Sequence, residues 1–153
     1  MTTLLNGPLE VGLRILVILE AQFPRALNVD DLLVLDHVAL HSDDFSGPGS
    51  LHPALPLRPA DVGARRDGIR HGVEMLTHRG LAAPALESDG ILFRASERSH
   101  SIVALIESHY LRLFRDRVRW AIEAGFATSA EGTRETLSGI VRSWPATALE
   151  ETS

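Results

Sequence analysis

Apolar residues between residues 61 and 79 recur at helical spacing and predict an amphipathic helix. Successive steps of seven, four and three residues separate the apolar positions of its buried face: Val62, Ile69, Val73 and Leu76. Those steps place all four on one side of an α-helix. Gly80 follows, and glycine commonly ends helices because it adopts the left-handed conformation without steric cost. The helix is therefore expected to end at about Arg79.

The residues that follow have the pattern of a β-hairpin. Two strand-like runs, Leu81 to Leu86 and Ile91 to Ala95, flank a connection that ends in Asp89-Gly90. Asp-Gly is favoured in tight hairpin turns. A helix, a glycine stop and a hairpin are typical of a winged helix. We therefore predict a mainly α fold, a winged helix-turn-helix with a two-stranded wing and a long C-terminal helix.

The first helix is predicted from the Asn6-Gly7-Pro8 segment to about Gln22 and is apolar on nearly every side. One stripe contains Leu9, Leu13, Leu16 and Leu19, and the other side contains Val11, Ile15 and Ile18. A helix with this pattern is normally covered on nearly all sides. It is therefore expected to be either the central helix of the fold or a helix that a partner covers.

A second helix is predicted from Asn28 to about His41, with Asp36 on its apolar side. A carboxylate at such a position is costly unless it is paired or hydrogen-bonded. We expect a buried ion pair that fixes the following loop, with a catalytic carboxylate as the alternative. The candidate partners are arginines: Arg58, Arg65 and Arg66.

The connection from Ser42 to Ala60 is long and contains four prolines, which are expected to keep helices out. A connection of this length is often functional. Its leucines, Leu51, Leu55 and Leu57, should pack either on the domain or on another protein.

The C-terminal third predicts one long helix from about His100 to Ala124, capped by Ser96 or Ser99. Three of its arginines, Arg112, Arg115 and Arg119, follow one another at helical spacing. With Asp116 and Glu123 they predict a solvated, paired face, or alternatively a stripe that binds carboxylate or phosphate. A weaker helix is expected from Ala130 to Trp144. We predict a domain over residues 1–126 and an appendage over residues 127–153, with a partly disordered tail.

Charge argues against direct contact with DNA. The chain has a formal net charge of −5, whereas nucleic-acid binders usually carry a basic balance. The outward positions of the predicted recognition helix are Asp67, His71, Glu74 and His78, and two of these four are acids. Phosphate contacts dominate affinity for DNA, so these signs are unfavourable.

Catalytic and metal motifs are weak. His37 and His41 are one turn apart, as are the exposed-face residues His71 and Glu74, and imidazoles at this spacing can chelate zinc or nickel. A solvated helix face has the same appearance, so no metal site is expected. The chain has no cysteine, no Gly-x-Ser-x-Gly and no phosphate-binding loop of the Walker type. We predict no enzyme activity, no catalytic residue and no cofactor. The interrupted apolar run from Leu9 to Ala21 predicts no signal or membrane span, and a cytoplasmic protein.

Short motifs across residues 6–126 resemble the small middle component of bacterial three-component ABC systems, similar to Lamassu-type anti-phage operons. The motifs start at Asn6 (Asn-Gly-Pro-Leu-Glu-Val-Gly-Leu-Arg), His41 (His-Ser-Asp-Asp-Phe), Ser50 (Ser-Leu-His-Pro), Arg65 (Arg-Arg), His78 (His-Arg-Gly-Leu) and Ile91 (Ile-Leu-Phe-Arg-Ala-Ser). The Ser-Leu-His-Pro loop is the most specific of them. Residues from Ala127 onward match no part of this pattern.

The resemblance implies a non-catalytic adaptor between an SMC-like ABC ATPase and an effector subunit. The residues expected to contact the partner are Leu51, His52, Pro53, Leu55 and Leu57. The residues expected to shape the loop are Asp36, Arg58, Arg65 and Arg66. The alternatives are a winged-helix transcription regulator that binds DNA, as a dimer, and a small metal-dependent enzyme. Without its partners, the isolated chain is a candidate homo-oligomer.

Overall fold

A computed structural model describes residues 7–52, 59–88 and 90–152, and for residues 59–60 and 142–152 it describes the backbone only. The helices are α1 (Pro8–Gln22), α2 (Val29–Leu40), α3 (Pro59–His78), α4 (Glu97–Ala104), α5 (His109–Glu123) and α6 (Ala130–Thr152). A short 3₁₀ helix, Ser42–Phe45, follows α2. The strands β1 (Ala82–Glu87) and β2 (Gly90–Ala95) pair in antiparallel fashion. The fold is therefore mainly helical with a small two-stranded sheet.

The first helix lies at the centre of the fold. Five consecutive residues of α1, from Ile15 to Leu19, are fully buried, although they point in all directions around the helix. Neighbouring elements α2, α3, α4, α5 and β2 of the same chain pack around them. Of the two expectations for α1, the central helix is confirmed. The alternative, that a partner covers this helix, is wrong for these buried residues, because five elements of the same chain surround them.

Glycines allow α1 and α3 to approach each other closely. A Cβ built on Gly72 lies 2.7 Å from the Ile15 side chain and 3.6 Å from the Gly12 backbone. A larger side chain at Gly72 would therefore require the end of the Ile15 side chain to move.

Helix α2 begins at a capping box. The Asn28 side chain accepts a hydrogen bond from the Asp31 N–H at 2.8 Å, and the Asp31 carboxylate accepts one from the Asn28 N–H at 3.3 Å. Two N–H groups that have no partner within the helix are satisfied in this way. Every residue of α2 from Asp31 to Leu40 is buried, so this helix is the second layer of the core.

The hairpin is joined to the rest of the fold at its base. Ala82 pairs with Ala95 there, and both side chains are buried. The backbone of Phe93 exchanges two hydrogen bonds with Leu27, in the segment between α1 and α2, at 2.7 and 2.8 Å. The predicted hairpin is confirmed, with β1 one residue later than expected.

Three predicted helix boundaries are wrong. The long C-terminal helix is divided into α4 and α5 because Ser108 starts a new helix, where its hydroxyl accepts a hydrogen bond from the Leu111 N–H at 3.3 Å. Helix α3 begins at Pro59, since proline is compatible with a first helical turn. Helix α6 continues past Pro145, where its end was predicted; the proline removes one backbone donor there without ending the helix.

Helix α6 is anchored to α2. The buried Thr133 hydroxyl donates a hydrogen bond of 2.7 Å to the Asp31 carboxylate, at the first turn of α2. Arg25 donates a 2.6 Å hydrogen bond to the carbonyl of Ala127, in the turn before α6. None of the described helices is both long and apolar enough to cross a membrane.

Candidate functional site

A buried ion pair joins the two central helices. The guanidinium of Arg14 on α1 donates to the carboxylate of Asp36 on α2, through Nε at 2.7 Å and Nη2 at 3.3 Å. Their side chains are only 3% and 4% exposed. Two parallel hydrogen bonds of this kind are the strongest geometry available to an arginine and a carboxylate.

The electrostatics of the pair favour its charged form. Burial alone raises the pKa of Asp36, but the charges of Arg14 and Arg65 outweigh it, and the net pKa is lowered. Burial alone lowers the pKa of Arg14, but Asp36 and the Tyr110 hydroxyl outweigh it, and the net pKa is raised. Asp36 therefore stays ionised, and its burial leaves it no access to a substrate.

Asp36 pairs with Arg14, which was not among its predicted partners. Arg65 lies near Asp36 but is hydrogen-bonded to Nδ1 of His37 at 3.3 Å, and Arg66 pairs with Asp30 at 2.9 Å. Arg58, the third candidate, lies outside the described residues. The useful signal in the sequence was Arg14 itself, since an arginine inside an apolar helix that is covered on all sides needs a buried acid.

Tyr110 and His52 extend the ion pair towards the loop after α2. The Tyr110 hydroxyl interacts with the Arg14 guanidinium and also lies 2.8 Å from Nε2 of His52. The two rings stack with their centroids 5.9 Å apart and only 16° between their planes. Burial raises the pKa of Tyr110 and lowers that of His52, so both are neutral at pH 7. His52 was assigned to a partner; in this structure it contacts α5.

Two further histidines complete the cluster. The rings of His37 and His41 lie 4.6 Å apart, and His52 is 6.1 Å from His41. Burial is the main reason that the pKa of His37 is lowered to about 3 and that of His41 to about 4. The positive charge of Arg65 lowers the pKa of both histidines further. Among the described residues, none forms a hydrogen bond with the buried Nδ1 of His41.

The cluster is not arranged as a metal centre. Across the part of the chain that the structure describes, no group of three or more histidine, aspartate or glutamate side chains could hold a metal ion. Hydrogen bonds link Arg14 to Asp36 and Tyr110, and Tyr110 to His52, so this part of the cluster joins α1, α2 and α5 to the loop.

Residues 47–52, which we call the strap, run from the end of the 3₁₀ helix across α2 and α5. The N–H groups of Leu51 and His52 both donate to the carbonyl of Leu40, at 3.0 and 3.1 Å. Ser42 Oγ donates to the carbonyl of Pro48 at 2.8 Å, and Ser50 Oγ accepts from the N–H of Asp43 at 3.0 Å. These bonds hold the strap on the last residue of α2 and on the 3₁₀ helix.

Helix α5 holds the other side of the strap. Arg117 donates a 3.1 Å hydrogen bond to the carbonyl of Gly49. Gly47 packs so closely on the Trp120 ring that an added Cβ would overlap it. Leu51 is half-buried against the core of its own chain. The strap is therefore fixed on its own chain through backbone and side-chain contacts.

The remaining residues predicted to contact a partner are Pro53, Leu55 and Leu57. All three lie outside the described residues, immediately after the strap.

The arginines of α5 also contact their own chain. Arg115 pairs with Glu20 of α1 at 3.4 Å, and Arg112 donates to the carbonyl of Glu107 at 2.9 Å. No ion pair joins Arg112 to Asp116 in the part of the chain that is described, so the predicted pairing along α5 is wrong there. Arg112 and Arg115 reach neighbouring segments instead.

The outward face of α3 carries mixed charge. Asp67 accepts a 3.0 Å hydrogen bond from Arg70, which neutralises both. His71, Glu74 and His78 are exposed. This face offers no continuous positive surface to a phosphate backbone.

One comparison with known proteins gives a match. The model of a family described as ABC-three component (ABC-3C) system middle component 2 matches residues 4–147. No curated protein and no solved structure matches the chain. The matched residues include the ion pair, the strap and the hairpin.

Proposed function

The chain belongs to the family of ABC-three component system middle component 2, and we propose that it is a non-catalytic, cytoplasmic adaptor subunit. In this proposal it links an SMC-like ABC ATPase to an effector within a bacterial anti-phage defence complex. The family match over residues 4–147 is the observation that carries the proposal, because a middle component has partners within its own system.

We also propose that residues 8–95 form a winged helix-turn-helix that serves as a protein-binding scaffold. The order of elements supports it: α1, a bridging residue at Leu27, α2, α3 and then the hairpin. The long connection between α2 and α3 departs from the short turn of DNA-reading helix-turn-helix proteins, which is about 3–4 residues. A scaffold for protein partners does not need that turn.

The strap supports a role for the residues that follow it. A segment whose starting point is fixed loses less conformational entropy when it binds than one anchored at neither end. We assign Leu51 and His52 to holding the strap, because both contact their own chain. Pro53, Leu55 and Leu57 are then the residues of this region that contact the ATPase.

Substitution of the loop leucines tests this assignment. The double variant Leu55→Ser/Leu57→Ser is co-expressed with the ATPase of the same system, and the amount that co-purifies is compared with wild type. Leu9→Ser is the matched control, since Leu9 is 67% exposed on α1. We expect the loop variant to lose the ATPase and the control to retain it. Equal recovery of the ATPase with both variants would remove the loop from the interface.

A DNA-binding regulator is the competing outcome. The mixed charge of α3, with Asp67 bound to Arg70, argues against it. A fluorescence titration of labelled duplex DNA with the isolated chain separates the two functions. An adaptor should bind negligibly at physiological salt, whereas tight binding that weakens with added salt would support the regulator.

A further inference from the structure

The hydrogen bond between Tyr110 and His52 has a direction that follows from Arg14. An arginine side chain can only donate, so Arg14 donates to the Tyr110 oxygen and leaves the hydroxyl proton for a different acceptor. Nε2 of His52 lies 2.8 Å from that oxygen. Nε2 is therefore the acceptor, and the single ring proton of the neutral His52 is on Nδ1.

Protonation of His52 is incompatible with this bond. A protonated imidazole carries a hydrogen on both ring nitrogens, so an N–H and an O–H hydrogen would meet between atoms 2.8 Å apart. Rotation of the Tyr110 hydroxyl would relieve that contact but would leave its proton without an acceptor among the described residues. Tyr110 offers no compensating negative charge, because burial raises its pKa. The bond therefore holds only while His52 is neutral.

The charges around His52 also oppose a proton on its ring. Burial lowers the pKa of His52, and so do the positive charges of Arg14 on α1 and Arg65 on α3. Asp36 on α2 raises this pKa but does not outweigh them, since its carboxylate is already paired with Arg14. His41, also on α2, lies 6.1 Å away and is neutral at pH 7 because burial lowers its pKa to about 4. A protonated His52 is therefore more stable away from this site.

We propose that His52 is a proton-operated latch, which holds the C-terminal end of the strap when neutral and releases it when protonated. The released residues are Leu51 and His52, whose N–H groups both donate to the carbonyl of Leu40. The other end stays in place, because Gly47 donates its N–H to the carbonyl of Ser42 at 2.9 Å and no histidine takes part in that bond. This inference goes beyond the proposed function, since the latch depends only on contacts within the chain.

Amide hydrogen exchange of the full chain, followed by NMR at pH 7 and 5, tests the latch. In the open state His52 regains its usual pKa of about 6.5, so proton uptake favours opening by up to about 25-fold over this range. The protection factors of the Leu51 and His52 amides should therefore fall by about fivefold to 25-fold. The Gly47 amide is the internal control, and its protection factor should fall much less.

Two variants separate His52 from the other histidines. His52→Phe keeps a ring that can stack on Tyr110 but takes up no proton, so the protection of its strap should be nearly the same at pH 7 and 5. This variant retains His37 and His41, so their effect on global stability is common to it and to wild type. His71→Asn alters an exposed histidine of α3, and its strap should lose protection as wild type does.

Three exchange results would overturn the latch: constant protection of Leu51 and His52 in wild type, an equal fall in His52→Phe, or an equal fall at Gly47. The ring tautomer is an independent test that needs no variant. The nitrogen chemical shifts of His52 at pH 7 should place the proton on Nδ1. A proton on Nε2 would overturn the bond direction from which the latch follows.

Discussion

Lowering the pH from 7 to 5 should destabilise this fold through two buried histidines. The folded chain keeps His37 and His41 neutral, with pKa values lowered to about 3 and about 4, mainly by burial. The unfolded chain has no such constraint, and its histidines take up protons near their usual pKa of about 6.5. Below that pH the unfolded state therefore binds more protons, and the free energy of unfolding falls as pH falls.

The size of the effect follows from how far the pH lies below the histidine pKa of the unfolded chain. Each pH unit below about 6.5 lowers stability by about 1.4 kcal/mol for each histidine that stays neutral when folded. At pH 5 the loss is about 2 kcal/mol for each residue and about 4 kcal/mol for the pair. Small domains are stable by about 5–15 kcal/mol in total. Asp36 does not contribute in this range, because its pKa is lowered from 3.8.

Urea unfolding at pH 7, 6 and 5 measures the loss, and two double variants assign it. In His37→Asn/His41→Asn, the stability at pH 7 is lower but its decrease between pH 7 and 5 should be smaller by about 4 kcal/mol. In His71→Asn/His78→Asn, which alters exposed residues of α3, the decrease should match wild type. A wild-type stability that stays constant between pH 7 and 5 would refute the neutral, buried state of these histidines. So would an unchanged decrease in the first variant.

Three further predictions concern the fold and are each measured by urea unfolding at pH 7. Asp36→Asn leaves the buried charge of Arg14 without its counter-ion and should cost about 3–5 kcal/mol; a loss under about 1 kcal/mol would contradict the buried ion pair. Gly47→Ala places a Cβ against the Trp120 ring and should cost about 1–3 kcal/mol; in the Trp120→Ala background, the same substitution should cost much less. Ser108→Ala removes the cap of α5 and should cost about 1 kcal/mol; no measurable loss would mean that Ser108 does not separate α4 from α5.

Local sequence signals were sufficient for several elements. The Asn28 cap and the apolar period of α3 each act within a few residues, so they could be read from the sequence directly. The break between α4 and α5 was missed because the apolar pattern continues across it through Leu105 and Ile106. Ser108 was the signal, but a serine inside a periodic segment is weaker evidence than the period itself.

The site was less predictable because its contacts join distant parts of the chain. Asp36 was correctly expected to need a partner, but the choice among arginines depends on how α1 and α2 cross, which spacing does not determine. The same is true of Tyr110, whose hydroxyl contacts His52, a residue 58 positions earlier in the chain. Leu51 was expected to pack somewhere, and only the folded arrangement places it against its own core.

Whether the chain bridges two proteins is the most direct test of the proposed function. The ATPase of the same system is immobilised through a tag, and the amount of effector retained is measured with and without this chain. An adaptor predicts that the effector is retained only when the chain is present. Retention of the effector by the ATPase alone, or no retention with the chain present, would contradict the adaptor function.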